Sequence, residues 1–267
     1  MRLVRSHGLG NDYLVLDEPA PLDAALVRAI CDRHRGVGSD GILEPTPAHD
    51  ADFGVRIWNP DGSIAEKSGN GLRIFARWLA DHGAGAAFSV STGACVVRCE
   101  VGGDAIAVEM GRALVGPAES LDLGSEVLRF VPVDVGNPHA VLFRDETPED
   151  VAWAVRGPAI EHHPRFPNRT NVQYVTVRGS NRIDIQIWER GAGETQASGS
   201  SSCAAAAAAV FTGRIQVGLV KVGMPGGFLD VEVSSDLELV LRGPVEVVGV
   251  VELDPRWLGA RLYGKGG

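Results

Sequence analysis

Most of the chain is patterned as short strands. Hydrophobic and polar residues alternate with a period of two, which is typical of strands that bury one face. Turn residues such as Gly102-Gly103 and Ser235-Asp236 separate these segments and favour hairpins. The pattern predicts strands at residues 3–4, 13–16, 42–43, 88–91, 96–101, 105–110, 215–222, 228–233 and 237–241.

Three segments instead carry helical periodicity. Apolar residues about 3.6 positions apart predict a helix over residues 23–34. Two further helices follow Ser68 and Ser198 and end near Gly83 and Gly213, a residue type suited to the position after a helix C-terminus. These two helices are apolar on most faces, which indicates burial at the centre of a domain.

The second helical segment and the residues before it are repeated at an offset of 130 residues. Ile57-Trp58 leads, after ten residues from Trp58, to Ser68-Gly69 and a helix. Ile187-Trp188 leads, after ten residues from Trp188, to Ser198-Gly199 and another helix. Each unit therefore reads as strand, loop, Ser-Gly and helix.

A weaker repeat supports duplication of the whole chain, because Gly10-Asn11 corresponds to Gly136-Asn137 at an offset of 126. We therefore predict two α+β domains, each mostly sheet around one apolar helix. Proline and small residues collect at residues 116–120. Domains are accordingly predicted at residues 1–117 and 118–254, with residues 255–267 able to pack back on the first domain.

Each repeated helix begins with a serine and a glycine. Backbone N–H groups at a helix N-terminus are unpaired and lie at the positive end of the helix dipole, so they bind carboxylates. Two such N-termini facing a shared cleft would hold one carboxylate and stabilise the charge that forms when the neighbouring carbon loses a proton. The alternative is that Ser68 and Ser198 only cap their helices in a duplicated packing unit without chemistry.

Composition narrows the range of functions. The chain has 267 residues and a net charge of −9 without a basic cluster, which argues against nucleic-acid binding. Its longest apolar run, residues 204–211, is far shorter than the roughly 20 residues of a membrane span. No signal-like segment opens the chain, so we expect a cytoplasmic protein without membrane contact.

No cofactor or metal is expected. Residues 36–41 match the letters of a dinucleotide-binding motif, but they follow a helix and precede a strand, the reverse of what that motif requires. The four cysteines, Cys31, Cys95, Cys99 and Cys203, lack the spacing of a zinc site or of a disulfide framework. Buried, reduced thiols are the simplest interpretation.

Six polar blocks are spread over the chain: His7-Gly8-Leu9-Gly10-Asn11-Asp12, Asn59-Pro60-Asp61-Gly62-Ser63, Ser68-Gly69-Asn70-Gly71-Leu72-Arg73, Gly136-Asn137-Pro138-His139, Arg169-Thr170-Asn171-Val172 and Glu189-Arg190-Gly191-Ala192-Gly193-Glu194-Thr195. In these blocks and their order the chain resembles the diaminopimelate epimerase family. The resemblance implies a pyridoxal-independent isomerase of two pseudo-symmetric domains, each a barrel-like, mostly antiparallel sheet around a central helix. It also implies interconversion of LL- and meso-diaminopimelate by two-base α-proton transfer, in lysine and peptidoglycan precursor biosynthesis.

The resemblance assigns roles to individual residues. Catalysis falls to Ser68, Ser198, His139 and Glu189, the last two lying beside the two acid/base positions. Substrate binding falls to Asn11, Asn59, Gly69, Asn70, Asn137, Asn171, Glu189, Arg190, Gly199 and Ser200. Without the resemblance, His139 would more often be a turn residue and Glu189 half of a surface ion pair. The expected ligand is a diamino-dicarboxylate or another amino acid, and an exposed sheet edge is compatible with a homodimer.

Ser68 and Ser198 depart from the family pattern, which has cysteine at both positions. A thiol, with a pKa of about 8.5 that a helix N-terminus lowers, exchanges protons near neutral pH. A serine hydroxyl does so only beside a strong base. Cys203 is no replacement for Ser198, since five residues correspond to roughly 140° around a helix.

Three interpretations therefore stay open. The chain is an epimerase that has lost both thiols, a relative that carries out a serine-dependent racemisation or elimination, or a non-catalytic amino-acid-binding protein. Asn59, Asn171 and Arg190 match the family's recognition of the distal end of the substrate, which favours the first two interpretations. Gly41, where some members carry a polar residue, leaves the exact substrate open.

Overall fold

The computed structural model describes residues 1–146 and 153–262. The chain forms two compact units, one of Met1–Ile106 with Pro244–Gly267 and one of Ala107–Gly243. Each unit is built from a sheet and a central helix, so the predicted α+β class with two similar halves is confirmed. None of the helices in the described ranges is long and apolar enough to cross a membrane.

The first unit begins with a pair of strands, and antiparallel strands follow its central helix. Its elements are β1 (Arg2–Gly8), β2 (Asn11–Leu16), α1 (Ala24–Cys31), β3 (Ile42–Thr46), β4 (Phe53–Trp58), β5 (Ile64–Ala65), α2 (Gly69–Asp81), β6 (Ala87–Ser91), β7 (Val96–Gly102) and the start of β8 (Ala105–Arg112). Strand β1 pairs antiparallel with β2, β2 parallel with β3, and β3 antiparallel with β4. Strand β4 then pairs parallel with β6, which pairs antiparallel with β7.

The second unit repeats this plan. Its elements are the end of β8, β9 (Leu114–Val115), β10 (Glu119–Asp122), β11 (Val127–Asp134), β12 (Pro138–Phe143), a 3-10 turn (Arg144–Glu146), α3 (Trp153–Glu161), β13 (Asn171–Val177), β14 (Arg182–Glu189), β15 (Gly193–Glu194), α4 (Gly199–Phe211), β16 (Gly218–Met224), β17 (Gly227–Val233) and β18 (Glu238–Pro244). Strands β11 to β14 pair antiparallel, parallel and antiparallel in turn. Strand β14 pairs parallel with β16, and β16 antiparallel with β17. The duplication seen in the sequence is therefore a duplication of strand pairing.

The end of the chain returns to the first unit. Strand β19 (Glu246–Glu252) pairs antiparallel with β1, and α5 (Pro255–Leu262) follows it. Trp257 and Leu258 of α5 pack against a cluster that includes Leu3 and Leu14. The boundaries between the units along the chain consequently fall at residues 106/107 and 243/244, whereas the sequence predicted boundaries at 117/118 and 254/255. The predicted boundaries rested on local composition alone. Pairing between strands at the two ends of a chain does not change local composition, so it could not be predicted in this way.

The two repeated helices lie inside their sheets. Helix α4 contacts β11, β12, β13, β14, β16 and β17, so the sheet wraps around it. All six alanines of its middle, residues 204–209, are fully buried. Alanine keeps the helix narrow, which lets strands approach it closely on every side. Helix α2 is less uniform, since it buries the charged residue Arg73 together with Phe75.

Predicted helix ends agree with the structure in part. Gly83 and Gly213 follow α2 and α4 with φ of +90° and +70°, which confirms them as the residues after the C-cap. Helix α1 ends at Cys31 instead of residue 34, because the Asp32 carboxylate accepts the next backbone N–H groups at 2.8 Å. Strand β16 starts at Gly218, because Ile215 N–H still donates to Ala209 O of α4 at 3.1 Å.

The repeat also conserves a tryptophan anchor near the ends of β4 and β14. Trp58 Nε1 donates to Glu44 Oε2 at 2.8 Å, and Trp188 Nε1 donates to Glu161 Oε2 at 2.8 Å. The Glu161 side chain is only 4% exposed and also accepts the backbone N–H of Gly191 at 2.8 Å. The Glu44 side chain is 16% exposed. Each pair ties the strand that leads to a Ser-Gly helix into its unit.

The Glu161→Ala variant is expected to lower the free energy of unfolding by about 2 kcal/mol, because the N–H donors of Trp188 and Gly191 lose a buried, charged acceptor. The matched Glu44→Ala variant should cost less, about 1 kcal/mol, since water reaches that site more readily. Urea unfolding followed by far-ultraviolet circular dichroism measures both. A Glu161→Ala loss no greater than that of Glu44→Ala would contradict this account.

Candidate functional site

Ser68 and Ser198 occupy the same position in the two units. Each is the N-cap of its helix, with φ/ψ of −141°/116° at Ser68 and −146°/122° at Ser198. Ser68 Oγ accepts the N–H of Gly71 at 3.0 Å, and Ser198 Oγ accepts the N–H of Ser201 at 3.4 Å. An extended residue followed by glycine turns each side-chain oxygen onto the first helical turn. The capping role of both serines is thus observed directly.

The remaining neighbours of the two hydroxyls are neutral. Ser68 Oγ lies 3.2 Å from the hydroxyl of Tyr13, and Ser198 Oγ lies 3.5 Å from that of Ser200. Within its own unit, neither serine oxygen has a carboxylate or imidazole as a hydrogen-bond partner among the described residues. A Cβ at Gly71 would lie 3.2 Å from Ser68 Oγ, so glycine there leaves room for the side chain at position 68.

Asn11 and Asn70 are held in one hydrogen-bonded chain beside Ser68. Arg73 Nη2 donates to Asn70 Oδ1 at 2.7 Å, and Asn70 Nδ2 donates to Asn11 Oδ1 at 2.9 Å. Asn11 Nδ2 in turn donates to Asp40 Oδ2 at 2.8 Å. Because an arginine only donates and a carboxylate only accepts, the two ends of the chain fix the orientation of both amides. Each asparagine keeps a second N–H that is suited to an anionic ligand.

A cluster of charged side chains holds Asp40, the last residue of this hydrogen-bonded series. Arg33 Nη2 lies 2.7 Å from Asp12 Oδ1 and 2.7 Å from Asp40 Oδ1, and Arg5 Nη2 lies 2.7 Å from Asp12 Oδ2. Burial of Asp12 alone would raise its pKa, but Arg33 and Arg5 outweigh it and hold the pKa below its ordinary value. The segment of residues 36–41 lies between α1 and β3, where it positions Asp40, in agreement with the rejection of a dinucleotide motif.

Asn59 lies in the turn after β4. Its Nδ2 donates to Ser63 Oγ at 2.9 Å, and its backbone N–H donates to Ser63 O at 2.8 Å. Asp61 completes the turn by accepting from the hydroxyl of Ser63 at 2.6 Å. The hydrogen bonds of Asn59 thus stay within its turn and do not join it to Asn11 and Asn70.

His139 lies on β12 and is 1% exposed, so it is a strand residue and not the turn residue that its local sequence favoured. Its Nε2 lies 2.9 Å from Asn137 Oδ1. Burial, aided by the positive charge of Arg190 and opposed by Gln173, lowers the pKa of His139 to about 3. The imidazole is consequently neutral throughout the physiological range of pH.

Asn171, Glu189 and Arg190 meet where β13 and β14 come together. Asn171 Nδ2 donates to Pro138 O at 3.0 Å, and Asn171 Oδ1 accepts the backbone N–H of Arg190 at 3.0 Å. The half-buried Glu189 accepts from the hydroxyl of Thr195 at 2.7 Å. Asn171 therefore joins the start of β12 to the end of β14, and the Arg190 side chain is exposed.

The structure also brings in polar residues that the sequence had not singled out. They are Tyr13, Asp40, Arg73 and Gln173, of which Arg73 and Gln173 are fully buried. A charged residue inside an apolar helix was a usable signal for Arg73, whereas a tyrosine or glutamine in a strand carries none. No group of three or more His, Cys, Asp or Glu side chains suited to a metal ion occurs in residues 1–146 and 153–262.

Comparison with known proteins identifies the family. A family model described as diaminopimelate epimerase matches residues 3–115 and 131–248. Diaminopimelate epimerase 2 of Nostoc sp. is 41% identical over 274 residues, covering 95% of each chain. The diaminopimelate epimerase of Desulforudis audaxviator is 38% identical over 285 residues, covering 97% of this chain and 100% of the relative.

Solved structures of low sequence identity share the fold. A probable proline racemase from Agrobacterium radiobacter superposes with a TM-score of 0.75 at 16% identity, covering 97% of this chain and 95% of its own. A hydroxyproline epimerase from Agrobacterium vitis also gives a TM-score of 0.75 at 16% identity, covering 96% and 94%. With a family match over both halves and relatives near 40% identity, the chain belongs to the diaminopimelate epimerase family of amino-acid isomerases.

Proposed function

We propose that this chain binds diaminopimelate or a close diamino-dicarboxylate, with Ser68 and Ser198 at the positions that the family resemblance gives to the acid and the base. We further propose that the Ser/Ser form binds this ligand without inverting it at enzyme-like rates. The observation that carries the proposal is that each serine oxygen caps a helix and has only neutral hydrogen-bond partners within its unit.

Ligand binding is supported by the polar groups around the caps. The series of side-chain hydrogen bonds from Arg73 to Asp40 leaves one N–H donor on each of Asn11 and Asn70, beside the N-terminus of α2. Amide donors and a helix N-terminus together suit a carboxylate. Asn171, Glu189 and Arg190 offer a second polar cluster in the other unit, suited to an ammonium and a further carboxylate. Each cluster by itself suits the amino or the carboxylate group of an amino acid.

Slow turnover follows from the chemistry of the two hydroxyls. Inversion removes an α-proton from one face and returns a proton to the other, so it needs a base and an acid. A thiolate at a helix N-terminus is stabilised by the backbone N–H groups and forms near neutral pH. A serine alkoxide forms only beside a strong base. His139, with a pKa of about 3, is not a proton donor at neutral pH.

Calorimetric titration tests ligand binding. LL- or meso-diaminopimelate is expected to bind with one site per chain, whereas NAD and ATP should give no heat. The Asn70→Asp variant replaces an N–H donor by a carboxylate and is expected to bind about tenfold more weakly. Asn181→Asp, the same change in an exposed turn, is the matched control and should bind like the parent. A protein that binds NAD or ATP but not diaminopimelate would contradict the proposal.

Restoring the thiols tests the catalytic positions. In the Ser68→Cys/Ser198→Cys variant, conversion of LL- to meso-diaminopimelate should rise on the order of 10² to 10⁴-fold over the parent. Each single variant should exchange the α-proton with D₂O more readily than it completes inversion, because one face lacks its acid. Ser202→Cys adds a thiol inside α4 and serves as the control.

Two results would separate the alternatives. A double-cysteine variant that binds ligand but neither exchanges nor inverts it would favour a serine-dependent lyase or a non-catalytic binding protein. Rapid inversion by the Ser/Ser parent would show that the argument from hydroxyl acidity is wrong and that Glu189 carries a proton.

The buried, neutral His139 predicts a pH dependence of stability. Its pKa is about 3 in the folded chain and has the ordinary value of 6.5 in the unfolded chain, so below pH 6.5 the unfolded chain binds the extra proton and stability falls towards pH 3. Between pH 7 and 5 this residue should cost roughly 1 to 2 kcal/mol of unfolding free energy. Urea unfolding of His139→Gln should show a shallower pH dependence than the parent. The exposed His34→Gln variant controls for loss of a histidine, and equal slopes for parent and His139→Gln would contradict the prediction.

A further inference from the structure

A buried polar chain links His139 to the first turn of α4. Gln173 and Ser201 are both 0% exposed, and Gln173 Nε2 lies 2.9 Å from Ser201 Oγ. Gln173 follows by two residues the strand partner of His139, so both side chains share one face of the β12/β13 pair. The Gln173 amide is close enough to the His139 ring to act on its pKa. Ser201 N–H donates to Ser198 Oγ at 3.4 Å, which extends the chain to the N-cap.

With both amides oriented in this way, the hydrogen-bonded series from His139 to Ser201 has fewer donors than its acceptors need. His139 Nε2 lies 2.9 Å from Asn137 Oδ1, and Gln173 Nε2 is engaged with Ser201 Oγ, so only the oxygen of the Gln173 amide is left for the His139 ring. A neutral imidazole has one N–H and therefore serves only one of two carbonyl oxygens. Consistently, neither His139 Nδ1 nor Gln173 Oε1 has a hydrogen-bond partner among the residues that the structure describes. One of the two amides must present its nitrogen to the ring instead.

The hydroxyl of Ser201 decides which amide is turned. If Asn137 turns, Gln173 still donates to Ser201 Oγ, and among the described residues the Ser201 hydroxyl proton has no acceptor. If Gln173 turns, its nitrogen donates to His139 Nδ1 and its oxygen accepts the hydroxyl proton of Ser201. The second arrangement satisfies every polar group in a place where an unmet donor is costly. Amide oxygen and nitrogen have nearly the same shape, so the turn needs no repacking.

We propose that Gln173 is a positioning residue: its amide nitrogen donates to His139 Nδ1, its oxygen accepts from Ser201, and it thereby holds His139 as the Nε2–H tautomer. His139 is then a fixed donor to Asn137 Oδ1, and Nδ1 is not available as a base. Asn137 in turn presents its N–H groups to whatever binds beside it. The tautomer follows from the hydrogen bonds alone, while its importance for ligand binding rests on the function proposed above.

Nitrogen-15 NMR of the full chain, labelled at histidine, tests the tautomer directly. Long-range proton–nitrogen correlations should place the His139 proton on Nε2 and show a hydrogen-bonded, unprotonated Nδ1 at pH 7. A proton on Nδ1, or on both nitrogens, would overturn the proposal. Gln173→Met removes the donor at little change in volume and should shift the Nδ1 resonance or populate the second tautomer. Gln186→Met, at an exposed position of β14, is the matched control and should leave the ring unchanged.

Titration of the same variants with meso-diaminopimelate tests the consequence for binding. Gln173→Met should bind about tenfold more weakly than the parent, a difference of about 1.4 kcal/mol, and Gln186→Met should bind equally well. Unchanged His139 resonances in a folded Gln173→Met protein would overturn the positioning role. The expected NMR shifts with unweakened binding would overturn only its link to the ligand. A parent with the Nε2–H tautomer that binds no diaminopimelate would overturn the proposed function and leave the tautomer standing.

Discussion

The unpaired backbone N–H groups at the buried starts of α2 and α4 are the constraint on which the candidate site depends. Both helices lie inside sheets, so their N-termini cannot rely on water for hydrogen bonds. Ser68 and Ser198 each satisfy one donor, and the others are left for the surrounding polar groups or for a ligand. In the proposed function these remaining donors bind an anion, so the capping and binding interpretations of the serines are compatible.

The two units satisfy this shared constraint with different side chains. Around Ser68 the buried Arg73 and the carboxylate of Asp40 orient the two asparagines between them, so orientation is set by charge. Around Ser198 the partners are hydroxyls and the Gln173 amide, so orientation is set by neutral hydrogen bonds. At the repeat offset of 130, Gly71 and Arg73 correspond to Ser201 and Cys203. Duplication therefore preserved the backbone while each half acquired its own electrostatics.

Local signals predicted the elements that form these units. Alternation located most of the hairpin strands, and the glycines after α2 and α4 marked where these helices end. Strand pairing is different in kind, because it joins residues far apart in sequence. The antiparallel pairing of β19 with β1 joins the two ends of the chain, and no property of residues 246–252 predicts that β1 is their partner. The domain limits expected from composition accordingly differ from those of the compact units.

For the site, the sequence by itself determined which residues cap the helices, which family the chain resembles, and that serine stands at positions 68 and 198. Only the tertiary structure decided what each polar group bonds to and how deeply it is buried. His139 illustrates the difference: burial inside the second unit makes it neutral. Its tautomer, which we assign to Gln173 and Ser201, is a matter of neighbours that lie 34 and 62 residues away in the sequence. Capping is a local geometry that a few residues specify, whereas desolvation and the direction of a buried hydrogen bond depend on the atoms that folding brings around the group.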